Sequence, residues 1–222
     1  MAKAKRGERL KREVLALDDV LLRQCKQRVY RRLALPQSYI WTFITTGVLP
    51  ETLSAWTVDE DIAKGIKGGI SAEWQEGKRW FGAILEHQPR PEEVILNLET
   101  LWVDMDYQRA LLAAEPTQYT EGIRRYENSQ REVVLEVSRV SLKEIWSWGG
   151  YSSPVEHLAE LITGAPPTDE QVAWLRGLIE EHNVPLGPRW TTPSGARSVT
   201  LRVLDHARKQ RYPVPSDPAF LP

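Results

Sequence analysis

Residues 131–140, Arg-Glu-Val-Val-Leu-Glu-Val-Ser-Arg-Val, form the strongest strand signal in the chain. A segment of this kind must find partners for its backbone and a core for its apolar side chains. Two upstream segments supply candidates. Residues 80–87 (WFGAILEH) read as a strand, 89–93 (PRPEE) as a turn, and 94–102 (VILNLETLW) as the next strand or strand pair. Val29 and Tyr30 give residues 28–34 a β-like character before Pro36.

Helical patterns bracket this middle. Residues 8–27 read as a helix with a broad stripe of Leu10, Val14, Leu15, Leu17, Val20, Leu21 and Leu22. Thr57 or Asp59 suits the N-cap of a short helix running to about Lys67, with Gly68-Gly69 as its stop. A second helix or turn is expected near 71–76, before Gly77. Residues 104–125 read as polar and irregular around a short helix at 107–114. Gly149-Gly150 and Ser152-Ser153-Pro154 mark a boundary. Helices are expected beyond it at 154–163, at 168–182 behind Thr168-Asp169-Glu170, and near 196–210. The order predicts an α+β fold. Residues 1–150 would form the main domain, with 1–27 as its N-terminal helix, and 151–222 a helical, Pro-rich extension.

Composition narrows the chemistry. The 222 residues are 41% hydrophobic and 27% charged, the balance of a folded globular protein. Lys plus Arg total 29 against 30 Asp plus Glu, so overall charge makes no argument for nucleic acid or membrane. Residues 1–12 are strongly basic, suiting either phosphate contact or a solvated helix start. Cys25 is the only cysteine, which excludes an internal disulfide and a cysteine zinc site and suits a reducing compartment. There is no apolar core of a secretory signal behind the basic start, and no run near the ~20 apolar residues of a membrane span. The expectation is a soluble, cytoplasmic protein. His87, His157, His182 and His206 lack metal-ligand spacing, so no metal is expected. There is no G-x-G-x-x-G, no G-x-S-x-G, and Gly77-Lys78 is not a Walker loop, because Ala72 and Arg79 stand where its glycine and hydroxyl would be.

Three segments, in order, resemble the mono-ADP-ribosyltransferase family. Val29-Tyr30-Arg31-Arg32-Leu33 is similar to that family's first strand. Leu53-Ser54-Ala55-Trp56-Thr57-Val58-Asp59, followed by Asp61-Ile62-Ala63, is similar to its Ser-x-Ser/Thr strand and the helix after it. Ser129-Gln130-Arg131-Glu132-Val133-Val134-Leu135 is similar to the [E/Q]-x-E strand that closes the site. The resemblance covers about residues 28–146 and implies a split β-sheet core that binds NAD as substrate. Glu132 would be the catalytic carboxylate, holding the ribose and stabilising charge as the nicotinamide bond breaks. Strand alternation would place Gln130 on the same face, about 7 Å away at ~3.4 Å per residue, to meet the acceptor, with Arg131 on the opposite face. Arg31 would hold phosphate, with Arg32 as the neighbouring alternative, since only one of the two can face the cleft. Ser54 and Thr57 would brace the strands, Ala55 standing where the family has its first hydroxyl. Trp56 would either stack near nicotinamide or fill the core.

The resemblance also bears on the acceptor. The Q-x-E form implies an amide or a nucleobase rather than arginine. Tyr119–Tyr126 interleaves aromatics with Arg124 and Arg125, so Arg124, Arg125 and Tyr126 would bind a nucleic acid acceptor. Trp146 and Trp148 would extend that platform or pack the tail. Such an enzyme suits an intracellular toxin, for example a phage-defence toxin held by an antitoxin, acting on RNA or DNA. The alternatives are a protein-directed transferase, an NAD glycohydrolase, and a non-catalytic binding module.

Overall fold

A computed structural model describes residues 3–17, 19–66, 70–71, 80–126, 129–152, 155–182 and 188–221. Gly68-Gly69, residues 72–77 and Ser153-Pro154, where a helix stop, a turn and part of a boundary were expected, lie outside them. The chain opens with α1 (Lys3–Ala16). The expected helix to residue 27 ends early, and Val20–Arg23 forms a separate 3₁₀ turn capped by Asp19, whose carboxylate accepts from the Leu21 N–H at 2.8 Å. Then come β1 (Val29–Pro36), α2 (Gln37–Thr46), β2 (Val48–Pro50) and β3 (Leu53–Thr57). Gly47, at φ 80°, ends α2 in the left-handed conformation that glycine tolerates best. Asp59, not Thr57, caps α3 (Glu60–Gly65), accepting from the N–H groups of Asp61 and Ile62.

After β4 (Ile70–Ser71) and β5 (Trp80–His87), β6 spans only Val94–Asn97. The strand expected to reach residue 102 stops because the Asn97 side chain accepts from the Glu99 N–H and starts α4 (Leu98–Val103). Asp104 caps α5 (Met105–Ala113), and α6 (Gln118–Tyr126) occupies what read as irregular chain. The 131–140 signal becomes β7 (Glu132–Glu136) and β8 (Arg139–Ser141), followed by β9 (Ile145–Ser152). The last elements are α7 (Val155–Thr163), α8 (Asp169–Glu181) with a capping box at Thr168, β10 (Arg189–Trp190) and α9 (Pro193–Lys209).

The fold is α+β, built on a largely antiparallel sheet. Its strand order is β10-β9-β5-β1-β3-β7-β6, with β4 beside β9 in parallel, while β2 pairs β8 separately. β1 pairs β5 from Val29↔His87 to Pro36↔Trp80, and β3 pairs β7 from Leu53↔Glu136 to Thr57↔Glu132. Between β1 and β3 a single pair, Tyr30↔Thr57, holds the sheet together. The sheet is therefore two well-paired halves joined at one point.

The two faces are covered differently. One carries the main core, where Val29 and Leu35 of β1, Trp56 of β3, Leu85 of β5 and Val133 and Leu135 of β7 meet Phe43 and Ile44 of α2 and Ala196, Leu204 and Ala207 of α9. On the other face α1 lies over the β3-β7-β6 half, with Val14 and Leu10 against Leu53, Leu96 and Val134. The boundary expected at residue 150 falls inside β9. Past it, only α7 and α8 build a cluster of their own (Val155, Ala159, Leu175, Ile179), while α9 belongs to the main core. Trp148 ties the two parts together, its indole N–H donating to Thr200 Oγ1 at 2.9 Å. Of its two readings, packing the tail is the one observed.

Candidate functional site

Strand alternation and the two register pairs define a row. Tyr30, Thr57 and Glu132 stand opposite one another on β1, β3 and β7, so their side chains share one face of the sheet. Beyond that row β1 and β3 part. A cleft of about 640 Å³ runs along the parting, with Arg32 and Ala34 from β1, Leu53 and Ala55 from β3, Gln130, Glu132 and Val134 from the β7 side, and Leu10 of α1 at its rim. Its size lies within the range of small-molecule and cofactor sites.

Glu132 begins β7 half-buried in this cleft, and burial raises its pKa above the usual carboxylate value. It makes no hydrogen bond or ion pair with any described residue. Gln130 also lines the cleft, by a route the period-two reading did not foresee. β7 starts at Glu132, and Gln130 lies in a turn. Arg131, at φ 45°, adopts a left-handed conformation between them. Two anchors fix that bend. The Arg131 carbonyl accepts from the Val58 N–H at 3.1 Å, and its guanidinium reaches Glu99 at 2.6 Å and Asp59 at 3.5 Å. Arg131 is a hinge that aims its two neighbours.

The arginines of β1 divide between the two faces as alternation requires. Arg31 borders the cleft, but it shares the core side of β1 with Val29, Leu33 and Leu35. Its Nη2 lies 3.4 Å from Glu51, and its guanidinium carbon sits 5.9 Å from the Trp56 ring centre. Arg32 is the arginine on the face of Glu132. It has no ion pair to a described residue, and its buried Nη1, like Nη1 of Arg31, finds no hydrogen-bond acceptor. Burial lowers the pKa of both guanidinium groups. A half-buried guanidinium with no ion pair among the described residues is a donor open to an anion that enters the cleft.

The hydroxyl brace also differs from expectation. Ser54 lies on the core side of β3, where its Oγ accepts from the Trp56 indole N–H at 3.1 Å. Thr57 lies on the cleft side, and its Oγ1 accepts from the Asp59 N–H at 3.1 Å. Both bonds stay within one segment, so neither ties two strands; the strand ladder of β3 and β7 does that work. Trp56 is 2% exposed and fills the core, its ring 5.6 Å from that of His87. Stacking on a ligand is closed to it.

The acceptor surface is corrected in part. Arg124 lies on α6, not on a loop, and its guanidinium donates to the carbonyls of Leu111 and Ala114 at 2.7 and 3.2 Å, capping the end of α5. The side chains of Arg125 and Tyr126 lie outside the described residues. Trp146 packs on Tyr30 with ring centres 5.7 Å apart. Tyr30 itself is held by Glu86, which accepts from its hydroxyl at 3.2 Å and from Arg28 at 2.7 Å.

Sequence reading missed one polar cluster. His87 on β5 lies between Glu144, 2.6 Å from Nδ1, and Glu93, 3.0 Å from Nε2. Burial pulls the His87 pKa down, and the two carboxylates more than offset this, leaving it raised. Glu93 is opposed by burial yet held down at about 2 by Arg90 and His87. Separations of 6 and 57 residues gave no spacing signal. Among the described residues no His/Cys/Asp/Glu group is placed to hold a metal, and no helix is long and apolar enough to cross a membrane. No protein-family model, characterised protein or solved structure matches the chain, so the site is read from its own geometry.

Proposed function

We propose that this protein is an NAD-dependent mono-ADP-ribosyltransferase that moves ADP-ribose onto a macromolecular acceptor. The observation that carries the reading is the half-buried carboxylate of Glu132, without a partner among the described residues, set in a dinucleotide-sized cleft with Arg32 on the same face. The parting of β1 and β3 is also in keeping with the split-sheet core that the sequence resemblance implies.

Cleaving the glycosidic bond sends its electron pair to the neutral nicotinamide leaving group and builds positive charge at the ribose carbon. A fixed carboxylate there stabilises that charge, and more strongly in a partly desolvated cleft than in water. The nucleophilic atom of the acceptor then bonds to the same carbon and sheds a proton. Arg32 takes the phosphate-binding role for which Arg31 was the first candidate, because its guanidinium, unlike that of Arg31 beside Glu51, has no ion pair among the described residues. Gln130, exposed at the mouth of the cleft, is the acceptor-side residue. It can orient an amide or a base through hydrogen bonds without acting as a base itself.

A nucleic acid acceptor is the favoured class on the Q-x-E pattern, with protein as the other arm of the test. Incubation with labelled NAD and separated RNA, DNA and protein fractions measures both. Glu132→Gln should lower nicotinamide release and label transfer at least a hundredfold, about 2.7 kcal/mol of transition-state stabilisation. Equal labelling by variant and wild type would remove Glu132 from the chemistry. Nicotinamide release that no macromolecule accelerates or captures would assign hydrolysis in place of transfer.

A further inference from the structure

The chain as a whole is close to neutral, at a formal net charge of -1, yet its last helix is strongly basic. From Pro193 to Tyr212, five Lys and Arg residues face Asp205 as the only acid. Asp205 is committed to Lys209, whose Nζ lies 2.8 Å away. The other four, Arg197, Arg202, Arg208 and Arg211, are exposed and make no ion pair with a described residue. α2 runs alongside, since its Ile40 and Ile44 share an apolar hollow with Val199 and Val203 of α9. It carries no charged side chain. Four guanidinium groups thus stand beside a neutral helix, with no acid on either helix left to answer them.

The same surface presents aromatic rings. Arg211, at φ 60°, takes the left-handed conformation that glycine tolerates best, just past the end of α9. The Tyr212 N–H then donates to the Ala207 carbonyl at 2.9 Å, which folds the chain back and sets the Tyr212 ring against Trp41 of α2. The ring centres lie 5.8 Å apart with planes inclined at 34°, and Trp41 and Tyr212 remain 41% and 54% exposed. Arg208, in the last turn of α9, and Arg211, next to Tyr212, are at the same end of the helix.

We infer that the α2–α9 surface binds single-stranded nucleic acid, with the arginines on its phosphates and the Trp41–Tyr212 pair stacking on a base. Guanidinium groups without a carboxylate of their own are free to answer phosphate oxygens. Exposed rings beside them favour a single strand, because a duplex keeps the faces of its bases covered. An anionic membrane would need apolar side chains to insert, whereas α9 spends Ala196, Leu204 and Ala207 on the core. α2 and α9 cover the face of the sheet opposite Glu132. The inference therefore stands apart from the reaction proposed for Glu132, and its test uses no NAD.

Fluorescence anisotropy of the full chain with labelled RNA and DNA strands of about 15 nucleotides, and with the matching duplexes, measures this. Wild type should bind the single strands with a Kd of roughly 10 µM or tighter near ~0.1 M salt. Arg202→Ala/Arg208→Ala should weaken binding about tenfold or more and lower the salt slope of log K by about 1.4, at roughly 0.7 per single-strand phosphate contact. Trp41→Ala should weaken single-strand binding about fivefold or more and leave duplex binding unchanged. Lys5→Ala/Lys26→Ala, the same loss of charge at exposed positions off this surface, should change neither quantity. All of these side chains are exposed, so circular dichroism should match wild type throughout. A wild type that binds no strand would overturn the inference, as would strand binding that the arginine and Trp41 variants leave intact. Equal weakening by the lysine variant would overturn it too. So would a preference for vesicles of equal parts phosphatidylserine and phosphatidylcholine over every strand, which would assign the surface to a membrane.

Discussion

Glu132 is costly to the fold and useful to the site for one reason. Burial, with no partner among the described residues, raises its pKa, so the folded state disfavours the charged form that the proposed reaction needs. For a group whose folded pKa lies above its unfolded one, stability is highest below the unfolded value and declines as pH rises through the folded value. Glu132→Gln should therefore melt higher than wild type near neutrality, with the difference closing below about pH 4. Thermal melts across pH measure this, and equal melting at every pH would mean that the carboxylate is solvated. The two arginines of β1 should separate just as clearly. Arg32→Ala should raise KM for NAD tenfold or more while leaving the melting curve nearly unchanged. Arg31→Ala strands the largely covered Glu51 carboxylate and should cost roughly 3 kcal/mol in chemical denaturation. The opposite pattern would return the phosphate-binding role to Arg31.

At the scale of elements, polar clamps hold together pieces that apolar patterning alone would leave loose. His87 links β5 to the turns at Pro91–Glu93 and Leu142–Glu144. Its raised pKa means that the clamp is fully present below the ordinary histidine value of about 6.5 and weakens as pH rises through the folded value. Glu93 acts in the opposite sense, contributing above about 4.5 and losing that contribution only as pH falls toward 2. His87→Gln should cost roughly 3 kcal/mol at about pH 5.5 and less above neutrality. Denaturant titrations at the two pH values check this, and a cost independent of pH would show that His87 packs as a neutral ring. The Arg131 bend works at the same scale. Ion pairs to Glu99 and Asp59 bring α4 and the start of α3 to the residue that aims Gln130 and Glu132. Backbone geometry, not alternation, sets the relation of those two side chains.

For the whole molecule, the main consequence of the tertiary structure is that the C-terminal region is not an appendage. α9 places Ala196, Leu204 and Ala207 in the principal core, and β10 pairs with β9. Ending the chain after Thr192 should therefore abolish the cooperative unfolding transition, because the cavity and the exposed core exceed a typical total stability of ~5–15 kcal/mol. Survival of a sharp transition would restore a separable extension. The sequence by itself determined the mixed class, the positions of β1, β5, β7 and α8, the Thr168 cap, and the nearness of Glu132, Gln130 and Thr57. Each of these follows from local periodicity, capping chemistry or motif order. Tertiary structure alone decided which of Arg31 and Arg32 shares the face of Glu132, where Ser54 and Trp56 point, how Arg124 is spent, and that His87 meets two distant glutamates. A strand's period of two says which residues share a face but not which face is the site. Only the register of Tyr30 against Thr57 and Thr57 against Glu132 fixes that.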